Sequence, residues 1–215
     1  MIPARTVLYL HGLASSPRGR KTEALRHELP KAAYRVVAPD LNVPSFEKLS
    51  FARIVDRAVE EVRAEKPDLV VGSSLGALVA LSLLRRSEIP RLPLVLVAPA
   101  LAFGARWKSQ LPEDDAALEL FHPGEGRSLP IHREFFEAMA AVEVEDAPPD
   151  VPVIAFMGEK DETVPCEQVV ETWARWEASG RLVPPSRLVV IEGGDHALLG
   201  HVGQFAAAIQ ELLGP

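Results

Sequence analysis

Five residues, Gly72-Ser73-Ser74-Leu75-Gly76, form a stretch in which a hydroxyl can be turned into a nucleophile. The apolar run Leu69 to Val71 precedes them and an unbroken Ala/Leu/Val pattern follows to Leu84. A buried strand is therefore joined to a helix by a turn only a few residues wide. Ser74 sits at the apex, where the backbone is strained, and glycines at 72 and 76 let strand and helix approach closely. A serine hydroxyl attacks a carbonyl only when a base takes its proton, so a histidine and a carboxylate are needed at the same place. No Lys-Ser/Thr of a phosphate loop follows the glycines, and the bland alternative is an ordinary glycine-containing turn.

The partners emerge from the elements along the chain. Continuous apolar runs predict strands at Thr6 to Leu10, Tyr34 to Ala38, the elbow strand, Leu92 to Val97, Val151 to Phe156 and Arg187 to Ile191. Between them, helices are expected over Thr22 to Leu29 with Thr22 as its cap, Phe46 to Lys66, the segment after Ser74, Glu167 to Ala178 and Gly200 to Leu213. Strands that alternate with helices and are apolar along their length imply about six mostly parallel strands with helices on both faces, an α/β fold. The exception is 101–150, about fifty residues after the fourth strand where one helix would suffice. It holds Trp107, Phe121, Phe135 and Phe136, with helix-like stretches at Asp114 to Phe121 and His132 to Val142. The expected organisation is a single domain over 1–215, with 101–150 as a small cap that covers the strand ends and supplies an apolar pocket, against the plainer reading of a decorated crossover.

In an open parallel sheet, ligands bind beyond the carboxyl ends of the strands. The residues there are His11-Gly12-Leu13, Asp40, Ser74, Pro99, Asp161 and His196. Serine, carboxylate and histidine thus reach one rim from three strands, in the chain order Ser, Asp, His. Ser74 is preferred to Ser73 because it occupies the centre of the turn. Glu159, Glu162 and Asp195 are rival carboxylates, and His201 is the rival histidine, read as structural on a helix. His27, His122 and His132 are read as surface or cap residues.

These residues carry a resemblance. The chain resembles the α/β-hydrolases of small esterase type, and its opening Leu8-Tyr9-Leu10-His11-Gly12-Leu13-Ala14-Ser15-Ser16-Pro17 is similar to that of the bacterial YqiA-like esterases. Four motifs match: His11-Gly12, Gly72 to Gly76, the acid loop Gly158 to Pro165, and Gly193-Gly194-Asp195-His196-Ala197. The two leading antiparallel strands of larger members are missing. The spacing of the acid loop before Val164-Pro165 singles out Asp161. The resemblance implies a triad of Ser74, Asp161 and His196 and an oxyanion hole made by the backbone N–H groups of Leu13 and Leu75. His11 would shape its loop at the edge of a pocket shared with Trp107, Phe135 and Phe136. The implied activity is cleavage of carboxylic esters of small soluble substrates through an acyl-enzyme, with no cofactor and no metal. Thioester hydrolysis, acyl transfer or carbon–carbon bond hydrolysis by the same triad stays open, as does a ligand-binding or signalling module on the same fold.

Composition narrows the partners. The 215 residues carry a formal charge of -7 with no run of five or six Lys/Arg, which disfavours nucleic acid and anionic membranes. The only cysteine, Cys166, excludes an internal disulfide and suits a reducing compartment. Strand-like sequence from Thr6 and no apolar run of 18 residues predict a soluble, cytoplasmic protein. A G-x-G-x-x-G dinucleotide fingerprint follows none of the strands. Oligomeric state is not legible.

Overall fold

The computed structural model describes residues 4–101, 117–122, 125–142 and 148–214. Six strands, β1 (Arg5–Leu10), β2 (Tyr34–Val37), β3 (Leu69–Ser73), β4 (Leu94–Val97), β7 (Pro152–Gly158) and β8 (Val183–Ile191), form one sheet in the order β2-β1-β3-β4-β7-β8, and every pairing is parallel. Parallel neighbours need crossovers, and the helices supply them. These are α1 (Arg20–Glu28), α2 (Phe51–Glu65), α3 (Leu75–Leu83) and α5 (Cys166–Ala178), while α6 (Val202–Leu213) follows the last strand and packs on the sheet.

Because side chains alternate along a strand, each strand feeds two cores. Leu8, Leu10, Val70, Leu94, Leu96, Val153, Ala155 and Met157 face one cluster with α2, α3 and α5, where Ile54, Val59, Leu78, Trp173 and Trp176 are buried. Val7, Tyr9, Leu69, Val71, Val95, Val97, Ile154 and Phe156 face the other, with Leu25 of α1 and Phe205 and Ile209 of α6. Burial on both faces is why the strands read as unbroken apolar runs.

Several boundaries differ from the sequence reading for local reasons. α1 begins two residues early, at Arg20 after Gly19, so Thr22 lies inside the helix and is buried instead of capping it. The expected long helix from Phe46 is a short 3-10 turn, Phe46–Lys48, followed by α2, whose N-cap Ser50 accepts the N–H of Arg53. β8 starts at Val183, four residues before the expected Arg187.

The larger difference lies in the insertion. The helix expected over Asp114 to Phe121 is absent from its described part. Residues Leu118–His122 form β5, which pairs antiparallel with β6 (Arg127–Ile131). The alternating half-buried and exposed pattern of Leu118 to Phe121 is that of a strand with one solvated face, and Gly126, at φ +66, serves the turn. α4 (Arg133–Ala140) follows, close to the expected helix, and seats Phe135, Phe136 and Met139 in the α2/α3 core. Burying Phe136, 1% exposed, contributes about 2 kcal/mol, which anchors the insertion to the sheet domain's core.

Candidate active site

The elbow is built by β3 and α3. Ser74 has φ 53 and ψ -115, a conformation costly to a residue with a Cβ, and it is held by its N–H to Val97 O at 2.9 Å and by its carbonyl accepting from Ala77 N at 3.0 Å. The glycines on either side make the turn possible. A Cβ on Gly76 would lie 2.0 Å from Leu10 O, and one on Gly72 would lie 2.5 Å from Gly76 O. Ser73 and Leu75 are buried while Ser74 is partly open.

Gly12 brings the loop after β1 against the same serine, since a Cβ there would stand 3.2 Å from Ser74 Cβ. Leu13 follows Gly12 and lines the cavity beside Ser74; Leu75 is the first residue of α3, and its N–H precedes the first bond of the helix, that of Ala77 N–H to Ser74 O. His11 is 2% exposed, with Nδ1 against Gly12 O at 2.9 Å and Nε2 accepting the N–H of Leu41 at 3.1 Å. It therefore ties its loop to the one after β2.

The acid and histidine loops are pinned to each other by the backbone. Glu159 N–H donates to Ile191 O at 3.0 Å and Lys160 N–H to Gly194 O at 2.8 Å, and a Cβ on Gly158 would come 2.5 Å from Gly194 O. The consequence is that Asp161 Oδ2 lies 2.7 Å from His196 Nδ1. The Asp161 side chain is fully buried, and its Oδ1 accepts the N–H groups of Thr163 and Val164, each at 2.8 Å. The rival carboxylates are engaged elsewhere: Glu159 accepts from Gly193 N–H and Asp195 from Leu198 N–H. Asp195 and Glu162 are both exposed. His201 meets Gln204, away from these loops.

A cavity of about 590 Å³ opens on this rim. Ser74, His196, Leu13 and Gly12 line it, with Arg18, Arg20, Lys21 and His122. Phe135 and Phe136 do not line it. They meet edge to face, ring centroids 5.5 Å apart, inside the α2/α3 core, because α4 presents its apolar stripe to that core. Trp107 lies outside the described residues. The reading of His122 as a surface or cap residue missed its place in the cavity wall, and the basic cluster from Arg18 to Lys21 was also missed. Its sequence signal is three cations within four residues, immediately after the loop that leaves β1.

Burial pushes the Lys21 ammonium down to about 8, countered in part by the charges of Asp161 and Asp195. Its Nζ donates to His196 O at 3.4 Å. Burial likewise pushes the Tyr9 hydroxyl up to about 12, with hydrogen bonds to Ser73 and Thr22 acting the other way. Among the described residues no group of three or more His, Cys, Asp or Glu is gathered to hold a metal ion, and no helix is long and apolar enough to cross a membrane.

The model of the uncharacterised protein family UPF0227 matches residues 6–213, and the chain belongs to that family. Among curated proteins none matches it. Solved structures place its fold among the α/β-hydrolases. Est1E from Butyrivibrio proteoclasticus, with ferulic acid bound, superposes with a TM-score of 0.77 at 19% identity, over 97% of this chain and 87% of that one. The mouse alpha/beta hydrolase domain-containing protein 10 gives 0.72 at 20% identity, over 99% and 90%. The esterase domain of a Rhodothermus marinus protein gives 0.69 at 18% identity, over 99% and 89%.

Proposed function

We propose that this member of the UPF0227 family is a serine hydrolase that cleaves carboxylic esters of small molecules through an acyl-enzyme. The observation that carries the reading is the 2.7 Å contact of Asp161 with His196 Nδ1, at a cavity that His196 shares with a strained, partly open Ser74. Est1E, similar in fold, was solved with the aromatic acid ferulic acid bound, and the fold also serves an esterase domain.

In this reading Asp161 accepts a hydrogen bond from Nδ1–H, which holds the proton there and leaves Nε2 of His196 as the basic nitrogen. Ser74 Oγ bonds to the ester carbonyl carbon while its proton passes to Nε2. The carbonyl oxygen takes the negative charge, and the N–H groups of Leu13 and Leu75 stabilise it by about 3 kcal/mol each. Collapse of the tetrahedral adduct breaks the carbon–oxygen bond to the alcohol, which leaves with the proton from His196. Water, deprotonated by the same nitrogen, then releases the acid and restores Ser74. No step calls on a cofactor. The insertion acts as the cap of a single catalytic domain, with His122 as its contribution to the wall.

Hydrolysis of p-nitrophenyl butyrate tests the reading. Turnover should vanish in Ser74→Ala and His196→Ala while both variants keep the natural melting behaviour; equal turnover in the natural chain and Ser74→Ala would refute it.

A further inference from the structure

The chain is acidic overall, yet its catalytic cavity is not. Arg18, Arg20 and Lys21 line the cavity, and among the described residues no aspartate or glutamate does. With 30 acidic and 23 basic residues in the chain, a wall whose described charged residues are all cations runs against the overall balance. Two of these cations also lack a carboxylate partner among the described residues. Arg5, Arg26, Arg35, Arg86 and Arg187 each meet a carboxylate, whereas Arg18 and Arg20 form no ion pair among the described residues. Lys21 reaches only a carbonyl, that of His196. Its half-buried ammonium is disfavoured where it stands, as its lowered pKa indicates.

Two independent features add to this. α1 starts at the cavity: Gly19, its N-cap, lines the wall and makes no side-chain cap bond, so the helix's positive end points at the same space as the cations. A Cβ at 19 would stand 2.6 Å from Ser15 Oγ, so a larger residue there would have to turn that hydroxyl aside. In the cavity wall, His122 is 8% exposed and stacks edge-on to Phe46, with centroids 4.5 Å apart. Its Nδ1 accepts the N–H of Glu125 at 3.2 Å, which puts the proton of the neutral ring on Nε2. That N–H is closed to solvent and has no partner among the described residues. A buried donor left unpaired is costly.

We propose that the cavity selects esters that carry an anionic oxygen group, a carboxylate or a phosphate, held by Arg18, Arg20, Lys21 and the start of α1 while the ester carbonyl lies at Ser74. The inference rests on the serine-hydrolase reading above and names its substrate class. It also accounts for an acidic protein that attracts an anionic substrate: the local field at the cavity, and not the net charge, steers it.

The test compares p-nitrophenyl valerate with p-nitrophenyl hemiglutarate, and phenyl butyrate with 4-(butyryloxy)phenyl phosphate, at low ionic strength. The proteins are the natural chain, Arg18→Gln/Arg20→Gln, Lys21→Met and Lys21→Arg. Within at least one pair the ratio of kcat/KM for the anionic over the neutral ester should fall about tenfold in the double variant and in Lys21→Met, and return in Lys21→Arg. The pair that responds identifies the anion as carboxylate or phosphate. Ratios unchanged in both pairs, with Ser74 still labelled by a fluorophosphonate, would overturn the anion site and leave the hydrolase reading intact. If no ester turns over and Ser74 takes no label, the hydrolase reading fails, and the anion site is then judged on Ser74→Ala by thermal shift with glutarate and phenyl phosphate. Stabilisation lost in the arginine double variant supports it; no stabilisation by either ligand overturns it.

Discussion

Asp161 Oδ2 lies 2.7 Å from His196 Nδ1, and the other oxygen of the same carboxylate accepts two backbone N–H groups, from Thr163 and Val164. The carboxylate is thus fixed by its own loop before it meets the ring. This division of labour predicts the behaviour of Asp161→Asn. The amide oxygen can still accept from Thr163 and Val164, so the loop should hold, but the amide nitrogen offers a donor to His196 where an acceptor is needed. The histidine then keeps its proton on the nitrogen that should be the base. Turnover of p-nitrophenyl butyrate should drop by about 10³-fold or more with the melting temperature little changed. Steady-state kinetics beside a melting curve checks both halves, and a variant that keeps a tenth of the natural rate would contradict the role given to Asp161.

Gly76 and Leu10 set a second expectation. A methyl group at 76 would enter the carbonyl of Leu10, a backbone atom that cannot swing away. Gly76→Ala should therefore destabilise the chain by about 3 kcal/mol or more, or prevent folding. Gly200→Ala is the control. Nothing lies within 4 Å of its added carbon and its φ is not positive, so urea midpoints should differ little from the natural chain. A well-folded Gly76→Ala would mean that β1 and α3 are not so closely apposed.

The lowered pKa of Lys21 predicts a pH dependence of stability. Below about pH 8 the ammonium is charged in both the folded and the unfolded chain, and the burial penalty is constant. Between about 8 and the ordinary 10.5 the unfolded chain holds the extra proton, so stability rises with pH across that window. Tyr9 works in the opposite sense above its ordinary value of 10, because the folded hydroxyl stays neutral until about 12. Taking the difference between the natural chain and Lys21→Met removes the Tyr9 contribution. That difference should grow by about 1 kcal/mol from pH 7.5 to pH 10, a figure discounted for the partial exposure of the side chain. Urea unfolding at the two pH values measures it, and a flat difference would show that Lys21 titrates as an ordinary surface lysine.

The sheet was legible from the sequence because burial on both faces writes each strand as an unbroken apolar run, and the strand ends then located Ser74, Asp161 and His196. What periodicity hid was tertiary. The segment Asp114 to Phe121 reads as helix-like, yet Leu118 to His122 becomes a strand through pairing with Arg127–Ile131. Phe135 and Phe136 looked like pocket aromatics by type; where α4 lands relative to α2 decides that they are core. Thr22 has the chemistry of a cap, yet the helix starts at Arg20 with Gly19 as its N-cap and carries Thr22 into the interior beside Tyr9. The cations at 18, 20 and 21 were visible as residues but not as a cluster lining the same cavity as Ser74, since a loop's direction is fixed by contacts far away in sequence.

The most direct measurement is intact-mass analysis after exposure to a fluorophosphonate, on the natural chain, Ser74→Ala and His196→Ala. The account predicts a single adduct on the natural chain, mapped to Ser74, no adduct on Ser74→Ala, and labelling slowed by about 10³-fold or more on His196→Ala. An adduct that persists in Ser74→Ala, or a natural chain that stays folded and takes no label, would contradict the claim that Ser74 is a nucleophile activated by His196.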